Sequence, residues 1–413
     1  MVQTKKRHVP INMRQSGDFD AKMLLSTRVR KSPYFHLAKQ AGCWCYTVYN
    51  RIYHPRAYIP LEDGGLLAEY EYLTKHVSMW DVAVERQIQI KGPDAVRFVD
   101  YVITRSVEKI EVGKARYVIL CNLYGGIIND PVLLRPAEDE FCFSLADSDV
   151  GIYLQGVNAV ARMDVEINEI DVCPVQIQGP KSETLLAKLV GPEIHDLPYY
   201  GLLMGKQVGG CDVTISRSGF SGEAGYEIYL HDATINADAM WNAVLEAGKE
   251  FNLKVIAPGH IRRIEAGILS WGQDMDIETN PYEVGLGWQV DFDKPDFIGK
   301  EALAEIKKQG VTEKLVGLRM GGEPITWYPS NFYTVRSNGE DVGYVTSAFW
   351  SPAQDSNIAL AMVPVGVSEV GTSLKVVLSE GHAEEPVDAE VVKTPFKASD
   401  SPGTGLLKTG AKL

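Results

Sequence analysis

Residues 215–230 read Ile-Ser-Arg-Ser-Gly-Phe-Ser-Gly-Glu-Ala-Gly-Tyr-Glu-Ile-Tyr-Leu. Gly219, Gly222 and Gly225 recur every three residues between two alternating β-rich runs. That pattern predicts a strand, a glycine loop and a second strand, with a backbone that bends sharply or approaches a ligand closely. Side chains alternate along a strand, so Glu227 shares a face with Gly225 and Tyr229. A carboxylate on a buried face needs a partner. One that fits is a heterocycle presenting two adjacent N–H donors, such as the aminopyrimidine edge of a pterin, which a carboxylate grips with two parallel charge-assisted bonds. The plainer alternative is a glycine-punctuated hairpin carrying an exposed glutamate. A second candidate is Asn129-Asp130, two poor strand formers inside the apolar run 127–134, where they mark a bulge or a site. The basic run 26–33, Ser-Thr-Arg-Val-Arg-Lys-Ser-Pro, is either a solvated loop or a grip for an acidic group of a substrate.

The elements that must position these residues are ordinary ones. The chain has 413 residues, 45% apolar and 23% charged, which suits a folded protein of two or three domains. A formal charge of −13 disfavours nucleic acid, whose binding needs a basic face, and anionic membranes. No apolar run approaches the roughly 20 residues that span a bilayer, and the basic start has no apolar stretch behind it, so a cytoplasmic location is expected. The six cysteines show no Cys-x-x-Cys spacing and are expected as free buried thiols, with no metal site.

In order, residues 1–20 are expected as a polar arm. A strand is expected at 43–49, with Trp44, Tyr46 and Tyr49 in the core. A helix at 66–76 and a strand at 82–90 follow, then a helix opening at Gly92-Pro-Asp and running through Val102. Two strands, 115–122 and 127–134, flank a turn at 123–126. Helices are expected at 147–160, 183–189, 240–251 and 261–269, and a strand at 172–177. The interleaving predicts a mixed α/β (α+β) class rather than a doubly wound parallel sheet. After a short helix ending near Gly310 come strands at 315–320, 341–347, 358–363, 374–378 and 387–392, the pattern of a small antiparallel barrel. The domain organisation expected is therefore 21–305, then a barrel domain at 306–396, then a polar tail at 397–413.

Together these blocks resemble the aminomethyltransferase family, founded on the T-protein of the glycine cleavage system. The carrying motifs are Trp80-Asp-Val, residues 117–131 ending Gly-Gly-Ile-Ile-Asn-Asp-Pro, Gln178-Gly-Pro-Lys-Ser, Ser218-Gly-Phe-Ser-Gly-Glu-Ala-Gly-Tyr-Glu, Ile264-Glu-Ala-Gly, Phe297-Ile-Gly-Lys and Ser351-Pro. Within the family, residues 26–33, Tyr46-Thr-Val-Tyr-Asn, Val84-Glu-Arg-Gln and residues 144–149 resemble the tetrahydrofolate-dependent dimethylsulfoniopropionate demethylases. The resemblance implies a cloverleaf of three subdomains, the last a barrel, around a channel for tetrahydrofolate. It places Glu227 at the pterin and Asp130 beside the reactive ring nitrogen, as the catalytic carboxylate. Tyr117 and Trp288 fall on folate-lining positions. Phe220 stands where the T-protein has a tyrosine, and Asn129 where it has the first of two aspartates. Its Asp-Val-Ser-His-Met is here Asp81-Val-Ala-Val-Glu, and its arginine before the helix glutamate is Gly259.

The function this implies is transfer of a methyl group from a small donor to tetrahydrofolate, the donor a sulfonium such as dimethylsulfoniopropionate. Holding donor and acceptor at near-attack distance does most of such work. Trp80 or Trp271 is expected to offer a ring face to the cation, and Arg28 or Arg30 to grip the donor's carboxylate. Demethylation of an O- or N-methyl donor, glycine-cleavage aminomethyl transfer, and folate binding without chemistry remain as alternatives.

Overall fold

Alternation along the strands decides what each sheet buries. The computed structural model describes residues 24–378 and 386–397, so the expected arm at 1–20 and nearly all of the expected tail at 397–413 lie outside the described residues. A five-stranded antiparallel sheet runs, edge to edge, Glu166–Glu169, Gln87–Lys91, Glu140–Ser144, Val132–Ala137, Lys114–Tyr117. Ile88, Ile90, Phe141 and Phe143 point to one face and pack with Phe98 and Val99 of the helix Ala95–Val102 and with Val150 and Leu154 of the helix Val150–Ala161. The residues between them, Cys142 and Ser144, therefore face the other way.

A six-stranded sheet repeats the arrangement, in the order Leu202–Val208, Cys211–Ser216, Gly225–His231, Val172–Gln178, Val77–Asp81, Leu253–Val255, with only the last pair parallel. Val175, Ile177, Ile228 and Leu230 pack under the helices Ser182–Val190 and Ala233–Gly248, against Leu185, Leu186, Met240 and Trp241. Gln176, Gln178, Glu227 and Tyr229 take the opposite face. There Tyr229 meets Ala115, Leu134 and Cys142 of the first sheet, so the two sheets present their polar faces to each other.

The third unit is a closed six-stranded antiparallel barrel, Glu313–Met320, Ser356–Pro364, Glu340–Ser351, Tyr333–Ser337, Ser373–Val377, Pro386–Val392. Its interior holds Leu318, Val335, Ala361, Val376 and Val391. Its outer residues Phe349, Ile358 and Leu360 join a separate apolar cluster with Ile261, Ile264 and Leu303. Buried charge also crosses this junction. Arg263 donates to Asp274 at 2.6 Å and to Ser347 at 2.7 Å, and Asp274 accepts from Thr346 and Ser347 of the barrel. Beside it Arg262 pairs with Glu223 at 2.5 Å, and Glu265 accepts from Ser351 and Tyr70. The mixed α/β class and the terminal barrel follow the expectation, with one strand more than the five expected: Tyr333–Ser337 comes after a Pro- and aromatic-rich stretch that hides its alternation.

Three other expectations are corrected. The strand expected at 82–90 begins only at Gln87; residues 82–86 are a turn joining Val77–Asp81 to Gln87–Lys91. Asp81 Oδ1 accepts from Ala83 N at 3.1 Å and Glu85 N donates to Val82 O at 2.9 Å, local bonds that override the strand propensity of Val82 and Val84. The helix expected at 261–269 stops at Glu265, with Gly267 at φ +70°. Trp44 is not in the core: it is 46% exposed, stacked on Trp327. All six cysteines are free thiols, with Cys45 and Cys173 only half-buried. Among the described residues no helix is long and apolar enough to cross a membrane.

Candidate active site

The polar faces of the two sheets enclose a pocket of about 720 Å³, open mouth included, lined by Glu85, Asp130, Glu227 and by Tyr49, Tyr117, Tyr200, Phe220 and Trp271, among others. Glu227 comes from the strand after the glycine loop, 3% exposed, opposite Gln176 on one neighbouring strand and Ser216 on the other. Gln176 Nε2 donates to its Oε1 at 2.7 Å. Ser218 and Tyr229 hydroxyls donate to its Oε2 at 2.6 and 2.8 Å. Burial raises its pKa against these three hydrogen bonds. The face-sharing of Glu227 and Tyr229 read from alternation is thus a direct bond.

The glycines of the loop have different reasons. Gly222 sits at φ +72°, where a side chain is strained. Gly219 and Gly225 have ordinary φ, but a Cβ on either would fall 2.1–2.2 Å from the side chain of Gln178. That buried amide donates to Ser218 O and accepts from Ser221 Oγ, so the loop is wrapped around it rather than held open for a ligand.

Asp130 follows the short strand Ile127–Asn129 and precedes Val132–Ala137, at the break the sequence marks. Tyr117 Oη donates to its Oδ2 at 2.9 Å, while its Oδ1 is buried without a partner among the described residues. Burial lifts its pKa from 3.8 to about 7, with the Tyr117 bond opposing the rise. Asn129 does not line the pocket. Its amide bonds Ala146 O, Ala146 N and Ser148 Oγ, which holds the loop after the strand Glu140–Ser144 in place.

Glu85 has no counterpart among the residues expected at the site. It lies in the turn misread as strand, which is why periodicity does not reveal it; the change from the T-protein motif at that position was the available signal. Ser144 Oγ donates to its Oε2 at 2.9 Å. Burial, then the nearby Glu227 carboxylate, hold its pKa well above the usual range. Gln176 was likewise hidden, because cross-strand pairing is not written in a single strand.

The other expected residues divide. Trp271 lines the pocket, its Nε1 donating to Ile127 O at 2.9 Å. Trp80 does not line it: fully buried, it bonds Ser78 Oγ and packs with Leu73, Val82 and Ile256, against which the pocket's Phe220 rests. Trp288 is 55% exposed beneath the guanidinium of Arg105, which in turn bonds Tyr117 O. Arg28 and Arg30 are exposed and outside the pocket lining, and Arg30 is paired with Glu169 at 2.6 Å.

Residues 34–294 match the family described as the GCVT N-terminal domain, and residues 313–397 the glycine cleavage T-protein C-terminal barrel domain. The chain belongs to the glycine cleavage T-protein family. Among curated members of that family, it is 35% identical over 363 residues to the dimethylsulfoniopropionate demethylase of Ruegeria pomeroyi, covering 87% of this chain and 96% of that one. It is 36% identical over 343 residues to the aminomethyltransferase of Thermotoga maritima, covering 82% and 91%. Among solved T-proteins, the glycine cleavage system aminomethyltransferase T of Bartonella henselae superposes with a TM-score of 0.78 at 26% identity, over 90% of this chain and 99% of that one.

Proposed function

We propose that this T-protein family member moves a methyl group from a small sulfonium, dimethylsulfoniopropionate or a close analogue, to tetrahydrofolate. The observation that carries the reading is the acidic lining of the pocket. Among the described residues its lining holds three carboxylates and no lysine, arginine or histidine. Such a lining favours a donor with permanent positive charge, and the rings of Trp271 and Phe220 add faces on which a sulfonium can rest.

The residues present fit tetrahydrofolate. Asp130 Oδ1, buried and without a partner among the described residues, is an acceptor waiting for a donor, and Glu227 Oε1 keeps one acceptor position beyond Gln176. When bound, tetrahydrofolate supplies the ring amine that accepts the methyl group. Asp130 is fixed in orientation by Tyr117 and, once ionised, places negative charge where the donor's cation must sit. Val132, Leu145, Ile268 and Leu269 keep water from the reacting centres. No side chain has to donate a proton, because a sulfonium leaves as a neutral thioether, whereas an ether donor would call for an acid; the proton displaced from the methylated ring amine would pass to ionised Asp130 or to solvent. The donor's carboxylate finds no fixed cation in the lining, so Arg28 and Arg30 serve it only by a movement of their segment.

The test is a donor screen with tetrahydrofolate, following methyltetrahydrofolate by mass, with sulfonium, quaternary ammonium and neutral ether donors side by side. Turnover of the sulfonium is expected. Ammonia and methylenetetrahydrofolate from an aminomethyl-loaded lipoyl carrier, with no methyl transfer from any sulfonium, would return the chain to glycine-cleavage chemistry.

A further inference from the structure

The strand Lys114–Tyr117 ends on a side chain of the pocket and carries a cation one residue earlier. Tyr117 reaches Asp130 with its hydroxyl, while its carbonyl accepts from Arg105 Nη1 at 3.1 Å. The length of one tyrosine thus separates the Asp130 carboxylate from a guanidinium. Arg116 Nη1 donates to the carbonyl of Ala115 at 2.9 Å. Among the described residues neither arginine has a carboxylate partner. Asp291, the acid whose charge reaches Arg105, is already paired with Lys109 at 2.6 Å.

The two guanidinium groups are close enough to act on each other and on the pocket wall. Burial lowers the pKa of Arg105, and the charge of Arg116 lowers it further. Burial raises the pKa of Tyr200, a residue of the pocket lining, to about 12, and both arginine charges pull against that rise. Trp288 covers one face of Arg105, its ring centre 5.7 Å from the guanidinium carbon. Two half-buried like charges side by side are unfavourable. In a chain of net charge −13 acids are plentiful, yet none answers this pair. A guanidinium offers its donors in a fork that matches a carboxylate. The partner that suits the pair is therefore a ligand that brings carboxylates to this edge while the rest of it lies in the pocket.

We propose that Arg105 and Arg116 hold the carboxylates of the glutamyl tail of tetrahydrofolate, whose ring end lies beside Asp130. The inference rests on the reading of this pocket as the tetrahydrofolate site. A carboxylate on the methyl donor has the same chemistry. The donor's methyl group, however, has to meet the ring amine beside Asp130, and a small donor does not span the length of Tyr117 as well. The folate tail, at the far end of an elongated molecule, does.

The experiment measures equilibrium binding of tetrahydrofolate, of tetrahydropteroate, which lacks the glutamyl group, and of dimethylsulfoniopropionate to the parent, Arg105→Gln, Arg116→Gln and the double variant, each checked for its fold by circular dichroism. In the parent, loss of the glutamyl group should weaken binding about 10- to 100-fold, the value of charge-assisted hydrogen bonds. That penalty should shrink to about threefold or less in the double variant, where its partners are already gone, with sulfonium binding changed about twofold at most. If the variants misfold, the parent alone serves: added sodium chloride should weaken tetrahydrofolate and leave tetrahydropteroate nearly unaltered. A parent that binds both folates equally or with equal salt dependence, or a penalty undiminished in the double variant, overturns the inference and leaves the pocket a folate site. So does a loss of sulfonium binding with the penalty intact, which would give the arginines to the donor. A parent that binds neither folate overturns the functional reading and this inference together.

Discussion

The carboxylates of the pocket and those at the barrel junction both lie inside the protein, but they are answered differently. At the junction Asp274 and Glu223 each meet an arginine, Asp274 also accepts from Thr346 and Ser347 of the barrel, and Glu265 accepts from Ser351 and Tyr70. In the pocket, among the described residues, Glu85, Asp130 and Glu227 meet only neutral donors, and Asp130 Oδ1 meets none. Desolvation is repaid by paired charge in the first case and only by neutral hydrogen bonds in the second. The difference separates carboxylates that hold subdomains together from carboxylates that, under the proposed function, are open to a ligand.

The strongest way to break this contrast is at the junction. Arg263→Met strands Asp274 in the interior and should lower the unfolding free energy by about 3–5 kcal/mol in a urea titration. Replacing Asp274 by leucine as well should recover most of it. A single variant as stable as the parent would mean that the pair is not what joins the barrel.

In the pocket the expected loss is in rate. Asp130→Asn keeps the shape and the Tyr117 contact but removes the charge and turns the open acceptor into a donor, so kcat should fall about 10²–10³-fold, comparable to removal of one transition-state electrostatic group, with a smaller loss of tetrahydrofolate affinity. A loss confined to KM would make Asp130 a binding group. Trp271→Ala should raise KM for a cationic donor by about 0.5–2 kcal/mol equivalent and leave the affinity of a neutral analogue unaltered. Equal effects on both would show that the ring fills space rather than meeting charge.

A further expected effect is on stability against pH. The folded pKa of Asp130, about 7, lies above its ordinary 3.8. The folded state therefore holds the proton more tightly, and ionisation costs stability progressively as pH rises from about 4 to 7. Below that window Asp130→Asn and the parent should differ little; above it the variant should melt higher by comparison. A difference independent of pH would place the cause elsewhere.

Much of this was legible in the chain. Period-two alternation gave the face of Glu227 and its neighbour Tyr229, and the Asx pair marked the strand break that carries Asp130. Asn129 looked like a ligand residue and is a loop clamp, because what an amide touches depends on residues 17 and 19 positions away. Periodicity missed Glu85 for a different reason: Val82 and Val84 favour a strand, and the bonds from Ala83 N to Asp81 and from Glu85 N to Val82 O turn the chain there. Tyr49 and Tyr200 join the pocket from distant segments, and no local pattern announces such a meeting.

The amide of Gln178 fills the space that side chains at 219 and 225 would need. Inheritance must therefore treat these three positions as one unit. A lineage that loses either glycine first meets a collision, and a lineage that shortens Gln178 first leaves the carbonyl of Ser218 and the hydroxyl of Ser221 without their partner. Neither single step is neutral, so drift at this loop proceeds by paired changes, and a suppressor of Gly219→Ala or Gly225→Ala should be sought at residue 178 rather than in the loop itself.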